Sequence, residues 1–253
     1  MNEDNLKTLK DCNLSFDIED HSDEATICKY CGKPLGENAI RYTNGEGFCN
    51  KDCEQMYDNR CQYGAQIADV ISTNIPKLYL DTDVNRLKSC VLNSDAMDKI
   101  LNWKMGRKGL AIIGKTGCGK TRILAMLLKR LISVDLVGIR CSLMVYYAGE
   151  LERAIMGSFA NKAKSYDELM HNLETCGLLV IDDFGKEKFT ERYEVSVFQI
   201  FEKRAANLKP TIFTTNYKGE TLKARFSDQN NYEPFSRRLN EFCDRVVFTR
   251  KER

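Results

Sequence analysis

One glycine-rich stretch of this sequence has the residue types and the spacing needed to hold a phosphate group. It reads GKTGCGKT from Gly114 to Thr121 and matches the pattern G-x-x-x-x-G-K-[ST]. Glycines let the backbone come close to phosphate, and the first turn of a following helix attracts anions through its free amides. The pattern predicts that Lys120 reaches the β- and γ-phosphates of a nucleotide and that the Thr121 hydroxyl binds magnesium.

The sequence around this loop supports the prediction. A short apolar strand at 110–113 precedes the glycines, and a helix with apolar residues at helical spacing follows at 119–133. A glycine-rich turn without a ligand is the alternative, and this context argues against it. The predicted nucleotide contacts are Gly114, Lys115, Thr116, Gly117, Cys118, Gly119, Lys120, Thr121 and Arg122.

Two later strands end in polar residues that suit phosphoryl transfer. The apolar run LLVI, which begins at Leu178, leads into Asp182 and Asp183. Asp182 would hold magnesium through water, and Asp183 would orient or deprotonate the water that attacks the terminal phosphate. The strand 211–214 leads to Asn216, which would hold that water in place. A surface strand end with two solvated acids is the alternative for the aspartates.

An arginine pair near the C-terminus could supply positive charge to the same reaction. The text is Ser236-Arg237-Arg238-Leu239. An arginine from a neighbouring subunit can stabilise the charge that develops in phosphoryl transfer. Arg237 is the predicted residue and Arg238 is its rival, while two solvated arginines on an exposed helix are the alternative.

Four cysteines near the N-terminus have the spacing of a metal site. Two residues separate Cys28 from Cys31, and after a further seventeen residues Cys49 and Cys53 follow, one helical turn apart. Four thiolates suit the tetrahedral shell of a structural zinc ion. Four unrelated buried thiols are the alternative, but this polar, glycine-rich segment offers little core to bury them. The substitute ligands, if one cysteine is misassigned, are Cys12, His21 and Cys61.

Length and composition limit the class of protein. The chain has 253 residues, of which 43% are apolar, so it can bury a core and is neither wholly disordered nor collagen-like. It has no uncharged apolar run long enough to span a bilayer and no secretory signal, so a cytoplasmic protein without a membrane partner is expected. In a reducing compartment its eleven cysteines favour metal binding over disulfides.

Charge is unevenly distributed along the chain. Residues 1–25 carry two basic and eight acidic side chains, and residues 203–253 carry twelve basic and six acidic ones. This bias predicts an acidic N-terminal tail and suggests an anionic partner near the C-terminal region, although a solvated basic face would look the same.

The remaining pattern predicts strands and helices that alternate along the chain. Helices are expected at 54–75, 83–104, 119–133, 149–158, 166–174, 191–207 and 234–242. Strands are expected at 110–113, 139–147, 178–181, 211–214 and 245–249. Strands that alternate with helices form a parallel sheet covered on both faces, so the expected fold class is α/β.

With these motifs in order, residues from about 75 to 253 resemble the AAA+ ATPases of the helicase-loader group. The group contains the DnaC- and DnaI-type loaders of replicative helicase and the related IstB-type transposition ATPases. Its lead-in IPxxY is present as IPKLY from Ile75, and its paired-acid strand LLxIDDxG matches 178–185. The resemblance implies a Rossmann-like P-loop, three-layer α/β/α sandwich with nucleotide at the subunit interface. It makes Asn216 the sensor residue and places the arginine finger at Arg237 or Arg238.

Other parts of the chain match the group less closely. The cysteine segment resembles treble-clef zinc modules with CxxCG and FCSxxC knuckles, with Asn50 in place of the usual serine. A zinc-binding, helicase-docking domain precedes the ATPase in some loaders. The family's second sensor has no clear match, although Arg250 or Arg253 would be near enough in sequence.

The resemblance implies an ATPase that uses magnesium and loads a replicative helicase onto single-stranded DNA, in a bacterium or a phage-infected host. Alternatives are an IstB-like ATPase that selects target DNA for a transposase, and a zinc adaptor in which ATP only gates partner binding. A homo-oligomer or a helicase-bound ring is expected, because the arginine finger acts on a neighbouring subunit.

The expected organisation has four parts. They are an acidic tail at 1–25, a zinc-binding module at 26–60, a linker helix at 61–75 and the AAA+ ATPase domain at 76–253. Loaders often contact DNA through the region that corresponds to 148–170. Its residues with the right chemistry for strand contact are Arg153, Phe159, Lys162, Lys164 and Tyr166. An ordinary exposed helix would look the same.

Overall fold

The computed structural model describes residues 26–82, 94–132, 142–160, 163–228 and 231–249, together with Asn85 and Leu87. Several sequence-based expectations lie outside these residues, and they concern the acidic tail, Cys12, His21, Lys162, Arg250 and Arg253. The described chain forms two compact units, of which the first contains residues 26–69 and the second runs from Val70 to Leu131 and from 142 to 249.

A small hairpin and the start of a long helix form the first unit. Strands β1 (Ile40–Arg41) and β2 (Gly47–Phe48) pair antiparallel, and helix α1 (Lys51–Asn74) follows. The buried Phe48 ring lies 5.4 Å from the ring of Tyr57, so the hairpin packs against the helix. The Asn50 side chain accepts a hydrogen bond of 2.9 Å from the Cys53 amide, as an N-cap residue does.

Five parallel strands form the sheet of the second unit, in the order β4-β5-β6-β3-β7. The strands are β3 (Gly109–Ile113), β4 (Leu143–Tyr147), β5 (Leu178–Phe184), β6 (Thr211–Thr215) and β7 (Cys243–Val247). The three central strands are almost wholly buried, which is why β3 and most of β5 appear in the sequence as apolar runs, whereas β6 buries three threonines.

Helices cover the sheet on both faces. They are α2 (Lys77–Leu80), α3 (Ser94–Leu101), α4 (Lys120–Leu131), α5 (Ala148–Ala160), α6 (Ala163–Thr175), α7 (Glu191–Ala206), α8 (Glu220–Lys223) and α9 (Tyr232–Phe242). Helices α5, α6, α7 and α9 bury one face in a single apolar cluster, whereas α3 packs against α4 over the other. None of the described helices combines the length and the apolar character that crossing a membrane requires.

The expected α/β class, with a parallel sheet and a three-layer arrangement, is confirmed. All five expected strands exist, but the last lies two residues earlier than 245–249, at 243–247. The helix expected at 83–104 ends at Leu101. Helices α2 and α8 were not expected, because four residues are too few to show a helical period.

Candidate nucleotide site and cysteine cluster

The phosphate loop joins β3 to α4, and neighbouring strands fix its shape. The Gly114 amide donates a hydrogen bond of 3.0 Å to the Thr215 carbonyl at the end of β6. A Cβ on Gly114 would lie 2.2 Å from the Phe248 carbonyl oxygen, so only glycine fits there. Gly119 has φ +100°, a backbone conformation that glycine adopts without strain. These constraints explain the glycines of the motif.

Lys120 connects the loop to the end of β6. Its ammonium is buried and donates to the Asn216 side-chain oxygen at 2.5 Å and to the Lys115 carbonyl at 3.2 Å. Lys120 and Asn216 are 96 positions apart in the chain. The parallel sheet brings them together because β3, which leads to Lys120, and β6, which leads to Asn216, are neighbours. Lys115, Thr116 and Gly117 are exposed in the same loop, while Cys118 is buried.

Thr121 and Asp182 meet where magnesium was predicted. The Thr121 hydroxyl donates to one Asp182 carboxylate oxygen at 2.8 Å, and the Thr214 hydroxyl donates to the other at 2.5 Å. Burial raises the pKa of Asp182, and these two hydrogen bonds partly oppose the shift. Oxygens on adjacent corners of a magnesium octahedron are about 2.9 Å apart, so the donor types and their spacing fit this ion.

Asp183 has an unusual backbone and a crowded carboxylate. Its φ is +61°, and its amide donates to the Thr214 hydroxyl at 2.8 Å. One carboxylate oxygen accepts hydrogen bonds from the Tyr147 hydroxyl at 2.8 Å and the Lys186 ammonium at 2.6 Å. Burial works against the charged Lys186, but the hydrogen bond and charge of Asp183 outweigh it and raise its pKa. Burial, together with Asp183, raises the pKa of Tyr147.

Sequence reasoning missed Thr214, Tyr147 and Lys186 as contributors to this site. Thr214 and Tyr147 lie at the ends of strands that flank β5, where parallel neighbours bring their last residues together. Strand ends were therefore the signal that could have identified them. Lys186 gives no such signal, because its contact depends on the turn that the chain makes after Asp183.

The Arg122 side chain contacts the IPKLY segment and the residues that follow it. The guanidinium donates to the Leu78 carbonyl at 3.0 Å and to the Thr82 hydroxyl at 3.1 Å, and lies 5.4 Å from the centre of the Tyr79 ring. These contacts give the IPKLY segment a structural role beside the phosphate loop. A nucleotide contact by Arg122 stays a prediction.

The two candidate finger residues differ in their surroundings on α9. Arg238 donates to both carboxylate oxygens of Glu202, at 2.6 and 2.7 Å, and to Glu241 at 3.2 Å. Arg237 is exposed on the same helix. The geometry therefore favours Arg237 for a contact with another molecule, because Arg238 already holds α9 to α7.

The four predicted zinc ligands form one cluster in the first unit. The sulfurs of Cys28, Cys31, Cys49 and Cys53 all lie within 4.8 Å of one another. Sulfurs that share a tetrahedral zinc ion are about 3.8 Å apart, and those of Cys31 and Cys49 are separated by 3.6 Å. The set therefore fits zinc. Cys49 lies two residues before α1 rather than on its first turn, since the helix begins at Lys51.

The cluster also favours at least one thiolate. Burial would raise the pKa of Cys28, but hydrogen bonds from the backbone amides of Cys31, Cys49 and Tyr30 override it and lower the pKa to about 6. The opposite holds for Cys49, whose pKa is raised to about 12 by its hydrogen bond to Cys31, by burial and by the neighbouring sulfurs. A thiolate at Cys28 beside three further sulfurs suits a cation.

The segment 148–170, for which DNA contact is a prediction, forms α5 and the first part of α6. The rings of Phe159 and Tyr166 stack with centroids 4.1 Å apart, and the Arg192 guanidinium lies 5.0 Å from the Phe159 ring centre. Arg153 is exposed, and the side chain of Lys164 is outside the described part of the chain. Contact between the α5 and α6 region and DNA stays a prediction.

Fold and site together define a P-loop nucleotide-binding protein of the AAA+ class. The parallel order β4-β5-β6-β3-β7 places the phosphate loop, the paired acids and Asn216 along one edge of the sheet. The chain belongs to the family of IstB-like ATP binding proteins, whose profile matches residues 96–251, more than half of the sequence.

The curated relatives are replicative helicase loaders. DnaI of Bacillus subtilis (strain 168) is 27% identical over 143 residues, which cover 56% of this chain and 43% of that protein. DnaC of Escherichia coli (strain K12) is 28% identical over 109 residues, which cover 43% of this chain and 42% of the relative. The chain therefore matches less than half the length of each.

A solved structure shares the fold. The crystal structure of DnaI superposes with a TM-score of 0.53 at 20% identity, over 69% of this chain and 95% of that one. The predicted membership in the AAA+ group that contains helicase loaders and IstB-like proteins is confirmed.

Proposed function

We propose that this chain is an ATPase that loads a replicative DNA helicase onto single-stranded DNA. The observation that carries the proposal is that Lys120 contacts Asn216 at the edge of the sheet where Thr214 also binds Asp182 and the Asp183 amide. Hydrolysis uses Asp183, Asn216 and Arg237, whereas a protein that only binds nucleotide does not need all three. The similarity to two replicative helicase loaders supports the choice of client.

Each residue has a distinct task in the proposed reaction. Magnesium held by Thr121 and Asp182 would neutralise charge on the β- and γ-phosphates. Asp183 accepts a proton from water while the water oxygen forms a bond to the γ-phosphorus. The bond between the γ-phosphorus and the oxygen that bridges the β- and γ-phosphates breaks at the same time, which gives ADP and phosphate. Asn216 orients that water. Arg237 of a neighbouring copy stabilises the transferring group, so activity requires a homo-oligomer or a helicase-bound ring.

The remaining parts of the chain bind the client and the DNA in this proposal. The module at 26–60, which zinc would hold together through its four cysteines, docks the helicase. The basic region at 203–253 and the aromatic pair of α5 and α6 contact single-stranded DNA. ATP binding favours the complex of loader, helicase and DNA, and hydrolysis releases the loader.

ATPase and loading assays with the cognate helicase test the proposal. Lys120→Ala and Asp183→Asn should each lower turnover by about 10²-fold or more, because one removes a phosphate contact and the other the proton acceptor. Asp244→Asn, an exposed acid on β7, is the matched control and should leave turnover unchanged. Calorimetry should show that Asp183→Asn still binds ATP. If the wild-type chain changes neither the loading nor the unwinding of its helicase, the loader function is wrong.

A second candidate has support from the family itself. The chain matches the IstB-like ATP binding proteins, and its resemblance to IstB-type transposition ATPases implies a transposase as the client and double-stranded DNA as the nucleic acid. Electron microscopy should then show filaments on double-stranded DNA instead of small assemblies on single strands. Tight ATP binding without hydrolysis, whatever partner is added, would instead support the ATP-gated zinc adaptor.

A further inference from the structure

The end of β5 contains one residue more than the strand beside it. Ile181 pairs with Phe213 across the sheet, and the next pair is Phe184 with Thr215. Two residues of β5, the paired acids, therefore lie opposite a single residue of β6, which is Thr214. An extra residue of this kind is a β-bulge, which disrupts the regular ladder and redirects the side chains near it. The bulge gives both acids the same neighbour.

The Thr214 hydroxyl makes a different contact with each of the two acids. The Asp183 amide donates to it at 2.8 Å, so a side chain takes the place that a backbone carbonyl has in a regular ladder. A hydroxyl has one hydrogen to donate and two lone pairs that accept, and Thr214 gives its hydrogen to the Asp182 carboxylate at 2.5 Å. One hydroxyl thus holds the backbone of one acid and the carboxylate of the other.

Burial leaves water little access to the contact with Asp182. Thr214 is 0% exposed and Asp182 is 7% exposed. A second donor to this carboxylate, the Thr121 hydroxyl, is itself a predicted magnesium ligand, whereas Thr214 serves the carboxylate alone. Groups that hold a metal-binding side chain from behind fix its direction, and their loss lowers metal affinity by about 10- to 100-fold. Thr214 has this place relative to Asp182.

The contact with the Asp183 amide has a separate consequence. A residue other than glycine at φ +61° is in a sparsely populated backbone region, and it stays there only where its surroundings hold it. The hydrogen bond from this amide to Thr214 is one such restraint. Without the hydroxyl, the backbone at the bulge should relax, and the second acid should leave its place beside the first.

On the proposed function, these two acids serve magnesium and the attacking water. We propose that the Thr214 hydroxyl positions both of them, because it holds the Asp182 carboxylate for magnesium and the Asp183 backbone at the bulge. Thr214 is therefore a positioning residue, which acts through the acids and binds neither the nucleotide nor the ion. Magnesium affinity and backbone order at Asp183 depend on its hydroxyl and not on its methyl group.

Manganese, which occupies magnesium sites built from oxygen ligands, tests the effect on the ion. The full chain is kept in excess over a non-hydrolysable ATP analogue and titrated with Mn²⁺, and electron paramagnetic resonance measures the free ion. Thr214→Val keeps the shape and removes the hydroxyl, so it should weaken Mn²⁺ binding about tenfold or more. Thr214→Ser keeps the hydroxyl and should bind the ion as the wild type does. Calorimetry in EDTA should give all three the same affinity for the analogue.

Amide hydrogen exchange, followed by NMR in the chain without nucleotide, tests the effect on the backbone. The Asp183 amide should exchange about tenfold faster in Thr214→Val than in the wild type, because its hydrogen-bond acceptor is gone. In Thr214→Ser the exchange should stay slow.

Thr211→Val is the matched control, since it removes a buried hydroxyl from the other end of the same strand. That hydroxyl accepts from Arg204 at 2.9 Å, so the control should lose stability toward urea but keep wild-type ion affinity and exchange at Asp183. If Thr214→Val does not fold, Thr214→Ala, which adds no bulk, replaces it. Wild-type ion affinity or wild-type exchange in the folded variant without the hydroxyl overturns the proposal. An equal loss in Thr214→Ser or Thr211→Val also overturns it.

Failure of this inference and failure of the loader function are distinguishable, because neither measurement requires helicase, DNA or hydrolysis. A chain that loads its helicase while Thr214→Val keeps wild-type ion affinity loses only the positioning role. A chain that loads no helicase while Thr214→Val binds the ion weakly keeps the positioning role and loses its client. A wild-type chain that takes up no ion with the nucleotide overturns both.

Discussion

Thr214 carries more of the site than its position in the sequence suggests. Its hydroxyl donates to Asp182 and accepts from the Asp183 amide, so one side chain fixes the two neighbouring acids. The sequence motif TTN draws attention to Asn216 alone. Asn216 is indeed beside Lys120, but the orientation of the paired acids depends on the threonine two residues before it.

The two arginines of α9 should respond differently to substitution. Arg237→Ala should lower ATPase activity by about 10³-fold if this side chain completes a neighbouring site, and should leave the free energy of unfolding almost unchanged. Mixing Arg237→Ala with Lys120→Ala should restore part of the activity. In a mixed assembly the Arg237→Ala subunit supplies an intact Lys120, and a neighbouring Lys120→Ala subunit supplies the arginine. Steady-state turnover of the mixture checks this, and unrestored activity would contradict a finger that acts between subunits.

Arg238→Ala is the matched control and should retain turnover while losing stability. The hydrogen bonds from Arg238 lower the pKa of Glu202, so this contribution exists above the pKa of the unfolded carboxyl and is lost as pH falls through the lower folded value. Urea unfolding should therefore show a deficit near neutral pH that disappears on acidification. Lost turnover in Arg238→Ala with normal folding would favour Arg238 as the finger.

The sequence predicts the residues whose place follows from chain direction. Lys120, Thr121, Asp182 and Asn216 meet because they follow or end parallel strands, and parallel strands share one carboxyl edge. The contact of Lys186 could not be predicted in this way. It depends on a left-handed backbone at the preceding acid, and no residue pattern specifies that angle.

Among the elements, α7 owes its position to one buried charge. Arg204 is fully buried and donates to the carbonyls of Leu173, Cys176 and Pro210 and to the Thr211 hydroxyl. It thereby connects α7 to the end of α6 and to the start of β6. Backbone oxygens at helix and strand ends lack part of their regular partners, and this guanidinium supplies a donor to several of them at once.

Replacing this arginine should be among the most damaging single changes. Arg204→Met should lower the free energy of unfolding by about 3–5 kcal/mol, because it removes the one buried donor that several buried oxygens share. The adjacent Lys203→Met, on a side chain that is 56% exposed, should change it by no more than about 0.5 kcal/mol. Urea denaturation followed by circular dichroism measures both. A small effect of Arg204→Met would mean that water satisfies the freed carbonyls.

The elements were predictable in proportion to their burial. Central strands such as β3 and the first part of β5 are wholly buried, so their apolar runs are unambiguous. The edge strand β7 has three exposed residues among its five, and its predicted start was two residues late. The hairpin of β1 and β2 has only two residues per strand, which is too short to show any period.

At the scale of the whole molecule, the two units should differ in whether zinc stabilises them. The first unit has a small apolar core, so a zinc ion bound by its four cysteines would supply the stability that a larger core gives the second unit. The second unit buries its sheet between helices and holds the nucleotide site within itself. Stability of the first should therefore follow zinc, and that of the second should not.

Chelation should separate the two units experimentally. The purified chain should contain about one zinc per molecule, and its removal should expose the first unit to limited proteolysis while ATP affinity, measured by calorimetry, changes less than about twofold. Cys49→Ser should reproduce the loss. Cys61→Ser, a cysteine outside the cluster, is the matched control and should keep the metal. A zinc-free chain that resists proteolysis would show that the cluster is not a metal site.

The left-handed backbone at Asp183 restricts how this position can drift during evolution. Of the residues that one base change in an aspartate codon can produce, asparagine, histidine and glycine adopt a positive φ most readily, and none of them has a carboxylate. Glutamate keeps the carboxylate, but it would have to adopt a positive φ, which is unfavourable for its longer side chain. On the proposed function, descendants that abandon hydrolysis should thus carry asparagine, histidine or glycine here, and this codon would mark lost catalysis among relatives.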